Sequence, residues 1–101
     1  MVSKKKYSFS VKVWLYPGGN AAWHFASVPR LTSEEIKKKY GAHARGWGSL
    51  PVSVTIGETT WATSIFPDKK SGTYILPLKA NVRRSEGLDA GDTAEIAITL
   101  L

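Results

Sequence analysis

Leu50, Val52, Val54 and Ile56 alternate with Pro51, Ser53 and Thr55, and after Gly57-Glu58 the alternation resumes from Thr59 to Ile65. Successive side chains of a strand point to opposite faces. A period of two therefore marks extended chain and excludes a helix, whose apolar residues recur at three and four. Gly57-Glu58 has the length and the glycine of a tight hairpin turn. That turn sets the register: Ile56 faces Thr59, Val54 faces Trp61, Val52 faces Thr63 and Leu50 faces Ile65. One face of the hairpin is apolar, and the other carries Ser53, Thr55, Thr60, Ala62 and Ser64. A two-stranded ribbon cannot hide such a face alone, so the rest of the chain must supply more sheet or a covering helix.

More strands precede and follow it. Tyr7, Phe9, Val11, Val13 and Leu15 alternate with Ser8, Ser10, Lys12, Trp14 and Tyr16. Pro17-Gly18-Gly19-Asn20 has turn chemistry, and Ala22 to Val28 resumes extended character. With those four residues as the loop, Tyr16 faces Ala21 and Trp14 faces Trp23. Lys12, Trp14 and Tyr16 then share a face with Trp23 and Phe25, opposite a face of Phe9, Val11, Val13, His24, Ala26 and Val28. A pair that is apolar on both sides near its turn suits a barrel whose outside is partly covered or meets a partner. A single bulge would exchange the faces of the second strand. The stretch 67–72 reads as a further turn. Thr73 to Leu78 reads as a strand whose Pro77 marks a sheet edge or a bulge, and Ala94, Ile96, Ile98 and Leu100 as the inward face of a last strand.

Between these strands lie two helical signals. After Pro29, Thr32 is placed to cap a helix, Glu35 to close a capping box, and Leu31 to staple onto Ile36. Ile36 and Tyr40 form its apolar stripe, Glu34–Lys38 and Glu35–Lys39 are favourably ordered pairs, and Gly41 is the expected stop. A shorter helical turn runs from about Asn81 through Val82 to Glu86, with a left-handed ending at Gly87 and Leu88 packing back on Val82. It reads as a connector that closes the barrel, with Arg83 and Arg84 on its solvent side. The expected fold is a single all-β domain over 1–101, mainly a small antiparallel β-barrel of about six strands with one short α-helix and one short helical corner.

Fourteen Lys and Arg against eight Asp and Glu give a net charge of +6. Such an excess favours anionic partners, although it also serves solubility alone. The lysine triplets at 4–6 and 37–39 read as solvated faces. The chain has no Cys, which excludes disulfides, thiolate nucleophiles and Cys-ligated zinc and fits a reducing compartment. Lys4-Lys5-Lys6 resembles the start of a signal peptide, but Ser8, Ser10 and Lys12 interrupt the apolar residues after it, and no apolar run approaches a membrane span. The expectation is a mature, soluble, cytoplasmic protein with no membrane partner.

Chemistry is sparse. His24, inside a strand, reads as structural, and His43, in a loop, as solvated. Two histidines without Cys make a poor metal set, although a carboxylate such as Asp68 could complete one. The carboxylates are dispersed, and Gly46-Trp47-Gly48 lacks the third glycine and following helix of a dinucleotide-binding turn. No catalytic residue, metal or cofactor is assigned, and a hydrolase-type enzyme is the third reading. The first is a non-enzymatic binding or interaction module for an anionic small ligand or a protein. The second is a nucleic-acid-binding barrel, with bases stacked on Trp14, Tyr16, Trp23 or Trp47 and phosphates met by Lys12, Arg45, Arg83 and Arg84. Trp23 and Trp61 are assigned to the core, and Trp14 and Trp47 to the surface. The expected contact surface combines Arg45, Trp47, Arg83 and Arg84, with Trp14 and Lys12 as second choice. Monomer and homodimer both stay open.

Several ordered blocks carry a resemblance. They are Trp23-His24-Phe25 with Val28-Pro29, Arg45-Gly46-Trp47-Gly48-Ser49, Val52 to Gly57 and Trp61 to Pro67. Tyr74 to Lys79, Val82-Arg83-Arg84 and Gly91-Asp92 come after them at the expected spacing. Over almost the whole chain the sequence resembles the bacterial family known as domain of unknown function nineteen hundred and five. The resemblance implies a small β-barrel with a short helix and brings no established activity. The last block is also similar to the swapped-hairpin half-barrels of AbrB and MazE type, dimers that bind DNA; that local likeness is an analogy of fold.

Overall fold

The structure, a computed structural model, describes residues 5–17 and 23–101. Six strands form the wall: β1 Lys6–Leu15, β2 His24–Ser27, β3 Leu50–Ile56, β4 Thr59–Asp68, β5 Thr73–Pro77 and β6 Thr93–Leu100. Two helices accompany them, α1 Arg30–Tyr40 and α2 Ala80–Glu86. The strands close in the order β1-β2-β5-β4-β3-β6, every described pairing antiparallel. Closure depends on the two longest strands, each of which changes neighbour. β1 pairs with β6 from Lys6 to Lys12 and with β2 from Val13 to Leu15. β4 pairs with β3 from Thr59 to Ile65 and with β5 from Phe66 to Asp68. This is how a small barrel turns its corners without leaving a full-length edge.

The Leu50–Ile65 hairpin has the register its turn dictates, Ile56 opposite Thr59 and Leu50 opposite Ile65. Positive φ at Gly57, with none at Glu58, is the type II′ pattern that matches strand twist. Val52, Val54 and Ile65 are fully buried, and the inward residues of β6 (Ala94, Ile96, Ile98 and Leu100) join them with Val13, Ala26 and Leu76.

The first hairpin differs from expectation in one respect. Trp14 pairs with Phe25, Leu15 with His24 and Val13 with Ala26, so Trp14 does not face Trp23. The loop is two residues longer than the four expected, since Tyr16 N–H bonds to Trp23 O. A slip of two keeps every side chain on its predicted face. The expected turn residues Gly18, Gly19 and Asn20 lie outside the described residues.

The capping box does not form. α1 begins two residues before Thr32, with Pro29 at its N-cap and no side-chain cap, and Leu31 is 80% exposed rather than stapled. Ser33 explains the earlier start. Buried at the barrel end, its hydroxyl donates to Val28 O (3.1 Å) and accepts from Tyr74 N–H (3.0 Å). It thereby continues the β2–β5 ladder by one rung beyond Val28 N–H to Tyr74 O. Ile36, one turn later, plugs the same opening. Gly41 is no left-handed stop: at φ −57° the chain runs on into a 3-10 turn, Gly41–His43.

α2 crosses the opposite end, linking β5 to β6, which lie on different sides of the barrel. Its ending is as expected, with Gly87 at φ 63° and Leu88 N–H bonded to Arg83 O. Glu86 fastens it to the β3–β4 turn, its Oε2 accepting from Thr59 Oγ1 at 2.6 Å.

Candidate functional site

The two barrel ends differ in charge, and the difference comes from which loops meet there. β1 starts, β2 ends and β3 starts at the α1 end, and the β4–β5 turn lies there too. Lys5 and Lys6 enter there. Arg30, Lys37, Lys38 and Lys39 ride on α1, because Ser33, Ile36 and Tyr40 take its inner face. Arg45 lies in the following loop, and Lys69 and Lys70 in the β4–β5 turn. Only Glu34, Glu35 and Asp68 oppose them. Two of these are engaged internally. Glu35 meets Lys5 at 2.7 Å and Lys39 at 3.8 Å. Asp68 Oδ2 accepts from Ser71 Oγ (2.8 Å) and N–H (3.3 Å), which holds the turn. The α2 end is the reverse: Lys12, Lys79, Arg83 and Arg84 are balanced by Glu58, Glu86, Asp89, Asp92 and Glu95. The cationic excess of the described chain therefore sits entirely at the α1 end.

The same end presents Trp47. The loop after α1 is braced by Arg45 N–H to Ser49 O (2.9 Å), Gly48 N–H to Arg45 O (2.9 Å) and Ser49 Oγ to Gly46 O (2.9 Å). At its tip Trp47 adopts φ 64°, the one non-glycine with positive φ among the described residues, and is 93% exposed. A left-handed backbone costs a residue with a Cβ about 1–2 kcal/mol, and nothing packs on this indole to offset it. Gly48, also left-handed, lies against Pro67, where a Cβ would come within 2.9 Å of the proline ring. Pro67 in turn lines a cleft of about 250 Å³ between α1 and the β4–β5 turn, with Lys37, Lys69, Glu34 and Tyr74. Trp47, Arg45, Lys37 and Lys69 thus belong to one contiguous region.

The electrostatics at the rim are locally settled. The hydrogen bond from Lys5 holds the Glu35 carboxyl below the usual range, assisted by Tyr7. Burial, with the nearby Glu35 carboxylate, pushes the Tyr7 phenol up to about 12.

The other expected site residues lie elsewhere. Arg83 and Arg84 are at the α2 end, separated from Trp47 by the length of β4. Thr59, at one end of that strand, touches Glu86, and Pro67, eight residues on (about 26 Å of extended chain), touches Gly48. A single surface of Arg45, Trp47, Arg83 and Arg84 is therefore not formed. Arg83 is half-buried, its Nε donating to Leu78 O at 3.3 Å, while Arg84 is exposed. Lys12 is exposed on the outer wall of β1. Trp14, on the same face, is only half exposed: its Nε1 donates to Ser27 Oγ (3.0 Å) and its ring lies 5.1 Å from Phe25. Trp23, assigned to the core, is instead 56% exposed and stacks over Phe25 on the barrel exterior. Its parity with Trp14 and Tyr16 carries that information. Lys37 and Lys69 escape sequence reasoning because a charge run does not reveal what stands beside it.

His24 begins β2 at the α2 end and His43 follows α1 at the other, so the two histidines cannot share a site. Among the described residues no three of His, Asp and Glu stand close enough to hold a metal ion. No described helix is long and apolar enough to cross a membrane.

Compared with known proteins, residues 9–98 match the family described as Domain of unknown function (DUF1905). No curated protein matches the chain.

Proposed function

We propose, from the premise that this chain belongs to the DUF1905 family, that it is a non-catalytic binding module which holds a flexible polyanion, single-stranded nucleic acid before others, against the α1 end of its barrel. One observation carries the reading: the cationic excess and a strained, exposed tryptophan occupy the same end. Phosphates are attracted by the summed field of Lys37, Lys69, Lys70 and Arg45, none of which is held in an ion pair among the described residues. A base stacked on Trp47 adds about 1–3 kcal/mol and needs no particular sequence. Duplex DNA fits less well, because α1, the one long helix described at this end, lies with Ser33 and Ile36 packed into the barrel and is not free to enter a groove.

The test is the anisotropy of a labelled single-stranded oligonucleotide titrated with protein over a salt series. About four phosphate contacts give a slope of log K against log salt near −3. Trp47→Ala should weaken binding by about 5- to 150-fold, and Lys37→Glu with Lys69→Glu should abolish it. Arg83→Glu with Arg84→Glu, at the far end, should change it little. Absence of binding at low salt, or an equal loss from the far-end pair, overturns the reading.

A further inference from the structure

β4 parts from β5 above Phe66, and a groove of about 690 Å³ opens there, running from Phe25 and Pro77 across Ala62 and Ser64 to Pro51 and Leu101. Its backbone wall is set by the hairpin. A two-residue turn makes Ile56 and Thr59 a hydrogen-bonded pair, so Thr59, Trp61, Thr63 and Ile65 turn their backbone groups to β3. Thr60, Ala62 and Ser64 turn theirs away, toward the groove. β5 takes up that side of β4 only from Phe66 to Asp68. No other described backbone group bonds to Thr60, Ala62 or Ser64. Across the gap, Leu78 N–H goes to His24 O, so the nitrogen of Pro77 points into the groove and offers no competing donor. The floor is apolar: Phe25, Phe66, Ile75 and Pro77, flanked by the exposed Trp23. Of the lining residues only Lys79 is charged, and Arg83 stands immediately beyond it in the adjoining hollow.

We propose that this groove takes an extended peptide as an added strand beside β4. The peptide is apolar at alternate positions and carries a carboxylate, its own C-terminus or an acidic side chain, at Lys79. The backbone of Thr60, Ala62 and Ser64 supplies a strand's alternating donors and acceptors, and the aromatic floor receives every second side chain. Charge complementarity selects the acidic end, since the side chains lining the groove include one cation, Lys79, and no anion. This site lies on the barrel wall and is independent of the polyanion surface at the α1 end.

The test is selection from a random decapeptide library displayed with free C-termini, followed by amide hydrogen exchange with the enriched peptide in synthetic form. Enriched sequences should alternate apolar residues and end in, or carry, a carboxylate. Binding should slow exchange at Ala62 and Ser64 at least tenfold and leave Trp61 and Thr63, already bonded to β3, unchanged. Lys79→Glu, an exposed change that spares the fold, should weaken the acid peptide about tenfold and its amidated form hardly at all. Three outcomes overturn the proposal: no enrichment, peptides that leave the Ala62 and Ser64 amides unprotected, or a self-associating protein whose own copy protects them.

Discussion

Replacing Ser33 by alanine deletes one oxygen and leaves two backbone groups without their partner. Tyr74 N–H, 3.0 Å from Ser33 Oγ, and Val28 O, 3.1 Å away, are both covered: Val28 is inaccessible and Ser33 itself is 3% exposed. The hole left by a hydroxyl is too small to seat a water, so neither group is resolvated. An unsatisfied buried donor or acceptor costs about 1–3 kcal/mol, and the pair should cost about 2–4 kcal/mol, allowing for relaxation of the helix start. At the usual sensitivity of a domain this size, that lowers the melting temperature by at least about 8 °C. In urea the midpoint should fall by at least about 0.7 M at unchanged m, with m in the range of about 1–3 kcal/mol/M. Amide exchange adds a local readout: Tyr74 should lose protection while Val28, still bonded through its own N–H to Tyr74 O, keeps it. A Ser33→Ala protein within about 0.5 kcal/mol of the parent, with Tyr74 still protected, refutes the idea that this hydroxyl joins α1 to the β2–β5 ladder.

Gly57→Ala should destabilise by about 2 kcal/mol, roughly 1–2 kcal/mol of it because φ 57° disfavours a Cβ and the rest because the Glu86 carboxylate must swing aside and give up its bond to Thr59; in a Glu86→Ala background urea melts should show only the backbone part. Tyr7 keeps its proton in the folded state up to about 12, against an ordinary 10.0, so its contribution is complete below pH 10 and is lost as pH rises toward 12. Tyr7→Phe should accordingly flatten the alkaline fall in urea midpoint, though Tyr74, also raised by burial, retains part of the slope. Glu35 has the opposite sign: with its carboxyl lowered by Lys5, its contribution is present above the ordinary carboxylate range and lost as pH falls through the lowered value, and Lys5→Ala should shift that acid limb upward in a pH titration of stability. Trp47→Gly should leave thermal stability unchanged or raise it by up to about 1 kcal/mol, by relieving φ 64°, while oligonucleotide affinity falls.

The parts of the fold that can be read in advance are those set by short-range pattern. The Leu50–Ile65 register follows from one two-residue turn, and the α2 ending from Gly87 and Leu88 alone. In the first hairpin the alternation of side chains is enough for the faces. It cannot set the register, because a slip of two leaves the alternation intact. The start of α1 departs from its local signal for a related reason. Thr32-x-x-Glu35 is a sound capping pattern, but Ser33 gains two buried hydrogen bonds to β2 and β5 if the helix begins earlier, and that competition arises only once the barrel has brought Val28 and Tyr74 together.

The site is less legible because it depends on which end of the barrel each loop reaches. Arg45-Gly46-Trp47 and Val82-Arg83-Arg84 look alike as basic stretches, and nothing in either says that ten residues of β4 stand between them. The topology decides it. α1 connects strands whose ends lie at one mouth of the barrel and α2 strands whose ends lie at the other, so the chain's positive charge divides by connection and not by sequence distance. Trp23 fails differently. Large aromatics default to the core because burying them contributes most, yet Ala26 and Val13 already fill the interior where β1 meets β2. Parity then sends Phe25 and Trp23 outward, where with Pro77 and Phe66 they build an apolar wall beside an unpaired stretch of β4. That coincidence of open backbone and exposed aromatic surface arises because β4 leaves β5 after three pairs and because Trp23 and Phe25 come from β2, which α1 and β3 separate from β4 in the sequence.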